Sequence, residues 1–174
     1  MRRVAFEELI ARAAQQVDAG AFLLAGNDPV NPMTIGWCQW GVIWGKPVCT
    51  VFVRKSRHTY ERMQSGAFTV SVPAPETMKK ELSYCGTKSG RDVNKVKELG
   101  LTFIPTDEGL TPALEGCALH FVCKTLFHAD FDAEKMTEDM DADIRARYYG
   151  ANQKLGNGDP HVAFFGEIIG AYEA

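Results

Sequence analysis

Period-two alternation of apolar residues predicts β-strands in several parts of the chain. In AFTVSVP, residues 67–73, Phe68, Val70 and Val72 share one face and Pro73 ends the run. Two further segments, GAFLLAG and HVAFFGEIIGAYE, are apolar runs typical of buried strands. Because HVAFFGEIIGAYE is apolar on both of its faces, it needs cover on both sides.

Two longer segments predict the remaining strands. NPMTIGWCQWGVIWGKPVCTVFV, residues 31–53, is typical of two strands joined by a turn at Gly45 and Pro47. LEGCALHFVCKTLFHADF, residues 114–131, predicts one long strand. One face of that strand carries Cys117, Leu119, Phe121 and Cys123, and the other carries mostly His120, Lys124 and His128.

Apolar residues at helical spacing predict short helices between these strands. The first covers residues 6–17, a second starts near an N-cap at Ser56, and a third covers residues 77–84. A further short helix ends at Gly100 as its C-cap. Six or so strands with short helices between them predict a small antiparallel barrel with helical decoration.

Composition and charge narrow the class of protein. The 174 residues indicate a single domain over residues 1–174, with 45% hydrophobic and 24% charged residues. A net charge of −3 argues against a general nucleic-acid binder, and no apolar run is long enough to span a membrane. The N-terminus lacks the apolar segment of a signal peptide. Five single cysteines and four histidines lack disulfide or metal-ligand spacing, so we expect no metal site and a reducing, cytoplasmic compartment.

The first candidate site is a cluster of cations at a predicted helix start. Arg54, Lys55 and Arg57 surround Ser56, at the end of the helix where the dipole is positive and cations are unfavourable. A bound anion would reverse that penalty through the dipole, the unpaired N–H groups and charge-assisted hydrogen bonds. Two interpretations stay open at this point: a phosphate site, or a solvated turn with surface arginines.

A second segment, GTKSGRDVNK, repeats the same arrangement. Gly86 and Gly90 permit close approach of the backbone, Ser89 is a candidate cap, and Lys88, Arg91 and Lys95 cluster around it. The spacing is not that of a P-loop. A third segment, NPMTIGWCQWG, brings three tryptophans, Trp37, Trp40 and Trp44, which could form core or wall a flat aromatic ligand.

Together these segments resemble the flavin reductase-like family, and most closely its flavoredoxin branch. The matching motifs are NPMTIGWCQWG, GKPVCTVFVRKSRHTYE, FTVSVP, CGTKSGRDVNK and HVAFFGEI, in the family's order over roughly residues 6–172. The resemblance implies a mainly β fold: a six-stranded antiparallel FMN-binding split β-barrel of Greek-key order with short flanking helices. It also implies a homodimer with flavin sites near the subunit interface.

The resemblance also implies which residues contact FMN. One segment borders the isoalloxazine ring, a strand end lies beneath it, a turn binds the phosphate, and a second loop lies near the ribityl chain and phosphate. In that order the residues are Asn31, Pro32, Met33 and Thr34; Phe52 and Val53; Arg54, Ser56, Arg57 and Thr59; and Cys85, Gly86, Ser89, Gly90, Arg91 and Lys95. His58 stands where many relatives have an aromatic residue.

The implied activity is transfer of hydride or electrons from NAD(P)H through FMN to a small-molecule or protein acceptor. Because FMN supplies the redox chemistry, we name no catalytic side chain. Alternatives are an FMN-holding electron carrier without a nicotinamide site of its own, and a barrel with an empty pocket. Cys85 is interpreted as a packing and backbone-contact residue rather than a redox thiol.

Two further expectations concern charge. Removal of Arg57 is expected to weaken FMN binding, to spare riboflavin, and to leave stability without ligand unchanged or slightly higher. The acidic segment from Asp130 to Asp143 is expected to form a solvated face that makes no contact with the phosphate.

Overall fold

The predicted strands form one antiparallel sheet in a computed structural model of the chain, which describes residues 1–130, 147–148 and 159–174. The strands are Arg2–Arg3 (β1), Ala21–Ala25 (β2), Asn31–Ile35 (β3), Cys38–Ile43 (β4), Lys46–Arg54 (β5), Ala67–Pro73 (β6), Phe103–Ile104 (β7), Ala113–Leu114 (β8), Cys117–Asp130 (β9) and His161–Glu173 (β10). The helices are Glu7–Gln16 (α1), His58–Arg62 (α2), Lys79–Thr87 (α3) and Lys95–Leu99 (α4), with 3-10 turns at Val17–Ala19 and Met63–Ser65.

The order of strands shows why the sheet curves into a barrel. The order is β3-β2-β6-β9-β10-β5-β4, every pair is antiparallel, β1 adds to β10, and β7 and β8 pair separately. β3 and β4 lie at opposite ends of that order, yet only Gly36 and Trp37 separate them in the chain. Three peptide steps of 3.8 Å span at most about 11 Å, so the two ends of the sheet must lie close together.

The predicted class, a mainly β antiparallel split barrel with short helices, is confirmed, but the count of six strands is too low. Residues 31–53 form three strands rather than two because Gly36 and Trp37 interrupt the first one. The turn that follows uses Trp44 and Gly45, with φ of 55° and 71°, which suits a two-residue hairpin turn. Pro47 does not belong to the turn and lies in β5 instead.

The larger core cluster lies on one face of the sheet, beneath α1. Phe68, Val70 and Val72 of β6 pack there as predicted, together with Leu9 and Ala13 of α1. The stripe of apolar residues predicted for residues 6–17 therefore does face the core, and α1 ends in the 3-10 turn before Gly20.

The smaller core cluster lies on the opposite face and includes Cys117, which corrects the predicted face of that residue. Leu119 pairs with Val72 whereas Cys117 pairs with Pro73, so Ala118 is an extra residue on β9. This bulge turns Cys117 away from the face that Leu119 occupies.

Helix boundaries follow local backbone chemistry. α3 begins at Lys79 rather than at residue 77 because Met78 has a left-handed conformation with φ of 53°. α4 ends where Gly100 takes φ of 63°, which confirms the predicted C-cap. The helices within the described residues are all too short or too polar to cross a bilayer.

Candidate functional site

The fold brings the three predicted segments of the site into contact. Asn31 at the start of β3 donates from Nδ2 to Oγ1 of Thr59 in α2, at 2.8 Å, and both side chains are buried. Arg57, which precedes α2, donates from Nη2 to the carbonyl of Gly86 in α3, at 3.1 Å. Residues that lie up to 29 positions apart in the chain therefore share hydrogen bonds.

Lys95 joins a further part of the site. It is the first residue of α4, its side chain is buried, and Nζ donates to the carbonyls of Pro32 at 2.9 Å and Cys85 at 3.2 Å. Burial lowers the pKa of the Lys95 ammonium to about 8. Lys95 thus links β3, α3 and α4 at one point.

These hydrogen bonds stabilise two of the clustered cations, Arg57 and Lys95, without a bound ligand. Arg57 is the N-cap of α2, which corrects the prediction of Ser56, but its guanidinium reaches the last turn of α3. The carbonyls of Cys85 and Gly86 belong to that C-terminal turn, where the helix dipole is negative and favours cations. Arg57 and Lys95 therefore lie at the favourable end of α3.

Ser56 contacts an acidic residue from the far end of the chain. Its backbone N–H donates to Oδ1 of Asp159 at 3.2 Å, and its hydroxyl donates to Oδ2 of the same carboxylate. Arg54 donates from Nη1 to the backbone carbonyl of Asp159 at 2.9 Å. The turn that the sequence assigned to a phosphate thus holds a carboxylate.

Ser89 is not a helix cap either, because α4 begins further along the chain. Asn94 is its N-cap, with Oδ1 accepting from the N–H of Lys97 at 3.0 Å. Ser89 accepts from the N–H of Arg91 at 3.2 Å. Arg91 in turn donates to the carbonyl of Ser56 at 2.8 Å and to the carboxylate of Glu61, which ties this loop to α2.

An aromatic groove of about 210 Å³ opens beside these cations, at the ends of β3 and β5. A neighbouring cavity of about 310 Å³ shares Gly36, Trp37 and Phe52 with it. The Trp37 ring lies 4.5 Å from the His161 ring and 6.3 Å from that of Phe52, between ring centroids. The groove is lined by Met33, Thr34, Ile35, Gly36, Trp37, Phe52, Arg54, Arg57, Tyr148 and His161.

His161 is a site residue that the sequence analysis missed. It begins β10 and pairs in register with Arg54 at the end of β5. Burial, with a contribution from Arg54, lowers the pKa of His161 to about 4, so the ring is neutral at pH 7. The sequence feature that could have pointed to His161 is its position at the start of the last predicted strand.

A third cavity, of about 670 Å³, is lined by Asn31 together with the loop around Gly90. Gly90 lies against the side chains of Asn31 and His58 in the wall of this cavity. Only glycine fits at this distance, because a Cβ there would lie 2.2 Å from Oδ1 of Asn31 and 2.8 Å from Cδ2 of His58. Five predicted contacts line this cavity rather than the groove: Asn31, Pro32, Gly90, Arg91 and Lys95.

Three predicted contacts, Met33, Val53 and Cys85, belong to the core clusters, and of these only Met33 also lines the groove. Val53 is fully buried in the larger cluster, and Cys85 is fully buried in the smaller one. Burial raises the pKa of the Cys85 thiol to about 11, which favours the unreactive protonated form at pH 7. Contact of Val53 or Cys85 with a ligand would use its backbone. The acidic segment lies outside the described residues apart from Asp130, which pairs with Lys55 at 2.9 Å.

Comparison with known proteins now decides the family. The sequence profile of the family described as "Flavin reductase like domain" matches residues 15–173. The chain belongs to this family. Its motifs for the turn at residues 54–59 and the loop at residues 85–95 both fall inside the matched region.

Individual proteins that are similar to this chain agree with the family match. An uncharacterized protein of Archaeoglobus fulgidus is 27% identical over 105 residues, which are 60% of this chain, and the match spans 58% of that protein's length. Flavoredoxin from Methanosarcina acetivorans has a TM-score of 0.66 and 25% identity, over 89% of this chain and 68% of that one. The FMN-binding domain of a flavin reductases-like enzyme from Shewanella baltica has a TM-score of 0.64 and 20% identity, over 99% and 76%. The last of these shows the fold alone.

Proposed function

We propose that the chain binds FMN and moves hydride or electrons from NAD(P)H through it to an acceptor. The observation that carries this proposal is one groove with aromatic walls and a cationic end, lined by residues of two of the three family motifs predicted for the site. The third of these motifs joins it through the hydrogen bond from Arg57 to the Gly86 carbonyl. The FMN-binding domain from Shewanella baltica and the flavoredoxin from Methanosarcina acetivorans, both of similar fold, support the choice of flavin.

The residues around the groove fit FMN chemically. Trp37 and Phe52 offer apolar ring faces to a planar isoalloxazine. Burial, and then the neighbouring charge of Arg54, lowers the pKa of Arg57. Two guanidinium groups close enough to affect each other form a suitable site for a dianionic phosphate.

The chain's own residues would hold and orient the cofactor. When bound, FMN accepts hydride and passes electrons onward, so the protein need not supply an acid or base. We assign the ring to the segment Asn31–Thr34 and the end of β5, and the phosphate to Arg54, Arg57 and Thr59. Lys95 and the loop of residues 85–91 would bind the ribityl chain and phosphate, through the backbone in the case of Cys85.

An electron carrier without its own nicotinamide site is the second candidate, and the resemblance to flavoredoxin favours it. Anaerobic mixing of the FMN-loaded protein with NADH or NADPH distinguishes the two. Bleaching of flavin absorbance by either nucleotide supports a reductase. A carrier would bind FMN and show no bleaching, and failure to bind FMN at all would refute both candidates.

We also propose that the protein is a homodimer. Four exposed apolar side chains of β4, the turn after it and β9 form what we term the apolar patch: Val42, Trp44, Leu126 and Phe127, with exposed fractions of 67%, 66%, 36% and 51%. The ring centroids of Trp44 and Phe127 lie 6.3 Å apart, so the patch is continuous between β4 and β9. Soluble proteins usually cover such patches, and a second copy would do so here.

A further inference from the structure

Asp159 occupies the turn that is assigned to the flavin phosphate. Its carboxylate accepts the N–H of Ser56 at 3.2 Å and the Ser56 hydroxyl, and its backbone carbonyl accepts from Arg54 at 2.9 Å. These donors are the same types, in the same turn, that a phosphate would use. Asp159 is therefore held at this position through its side chain and its backbone.

The charge of Asp159 acts on two titratable groups of the site. Burial lowers the pKa of both Arg57 and His161, and the negative charge of Asp159 opposes that effect at each of them. The carboxylate thus already offsets part of the positive charge that would attract a phosphate. A dianion placed beside Asp159 would meet a like charge at close range.

We propose that Asp159 is a specificity-determining residue that sets how strongly this turn prefers phosphorylated over unphosphorylated flavins. This inference rests on the proposed binding of FMN at the turn. The phosphate must displace the carboxylate from Ser56 or bind beside it, and either event weakens FMN binding. Riboflavin, which lacks the phosphate, leaves the contact between Asp159 and Ser56 intact.

The test is Asp159→Asn, which keeps the size of the side chain and removes its charge. Fluorescence titrations of FMN and riboflavin against both proteins give the affinities. We expect FMN to bind about tenfold more tightly to the variant, which corresponds to about 1.4 kcal/mol, and riboflavin to change by less than about twofold. Asp130→Asn is the matched control, because Asp130 pairs with Lys55 in the same turn without contacting Ser56. It should change the FMN affinity by less than about twofold.

The outcomes separate this inference from the proposed function. Equal FMN affinities in wild type and Asp159→Asn would refute the role of Asp159 while FMN binding stands. Weaker binding of both flavins would show that Asp159 only shapes the turn, which also refutes the inference. Binding of neither flavin by wild type would overturn the proposed function itself, and this inference with it.

A second variant and a second readout protect the test against misfolding. Asp159→Ser removes the charge with a smaller side chain, and thermal melting shows whether each variant is folded. Inorganic phosphate without flavin should raise the melting temperature of either variant more than that of wild type. Equal shifts would refute competition between Asp159 and a phosphate.

Discussion

Arg57→Ala tests the central feature of the site, because within the part of the chain that the structure describes the Arg57 side chain makes one hydrogen bond to the fold, and it has one proposed ligand contact. The structural contact is the bond of 3.1 Å from its guanidinium to the Gly86 carbonyl at the C-terminal turn of α3. Hydrogen bonds from charged groups contribute about 1.5–3 kcal/mol, and partial exposure of Arg57 places this one near the lower value. We therefore expect the free energy of unfolding without ligand to fall by about 1–2 kcal/mol. This reverses the expectation drawn from the charge at the start of α2 alone.

The same substitution should also remove a charge-assisted bond to the FMN phosphate. The expected loss of FMN affinity is about ten- to a hundredfold, from about 1.5–3 kcal/mol, whereas riboflavin affinity should barely change. Urea unfolding without ligand measures the first effect, and fluorescence titrations of both flavins measure the second. Arg57→Lys keeps the charge but loses the planar fork, so it should recover part of each effect.

Two results would refute this reasoning. Equal losses for FMN and riboflavin would mean that Arg57 shapes the groove and does not bind phosphate. Unchanged stability would mean that the bond to Gly86 contributes nothing to the fold.

Three further predictions follow from described contacts. Gly90→Ala should push Asn31 off Thr59, because the new Cβ would lie 2.2 Å from Oδ1 of Asn31; unfolding and FMN titrations should both show a loss, of about 1–3 kcal/mol in stability. Burial lowers the pKa of His120 from 6.5 to about 4, so the unfolded chain binds a proton first as the pH falls, and His120 should contribute a drop in stability of about 3 kcal/mol between pH 6.5 and 4, separate from that of His161. Acid unfolding of His120→Asn should show a smaller drop than wild type, and an equal drop would contradict this origin. Trp44→Glu should convert a dimer to a monomer by light scattering, whereas a wild type that is already monomeric would refute the homodimer.

Two strands could be predicted with their bounds from the sequence. Period-two alternation gives the bounds of β6, and a long apolar run gives those of β10. The exceptions arise where one or two residues interrupt the pattern of apolar positions. Ala118 is an extra residue in β9 and reverses the face of Cys117, and Gly36 with Trp37 divides one predicted strand into two. No periodicity reveals a bulge or a break of this kind.

The candidate site was only partly accessible to sequence reasoning, because its partners are distant in the chain. The motifs located Arg57 and Lys95, but their bonds to the end of α3 required the fold. Asp159 lies 103 positions from Ser56, and no local pattern links them. His161 was assigned to a strand, and its place in the groove follows from its register with Arg54.

The two residues between β3 and β4 have a consequence for local unfolding. Only Gly36 and Trp37 connect the two edge strands of the barrel, β3 and β4. These two residues line both the groove and its neighbouring cavity. Edge strands open more easily than central ones, so their amide hydrogens should exchange with solvent sooner than those of β9. A ligand bound in the groove at this connection would stabilise both β3 and β4. Hydrogen exchange in β3 and β4 should therefore be slower in the presence of FMN than in its absence.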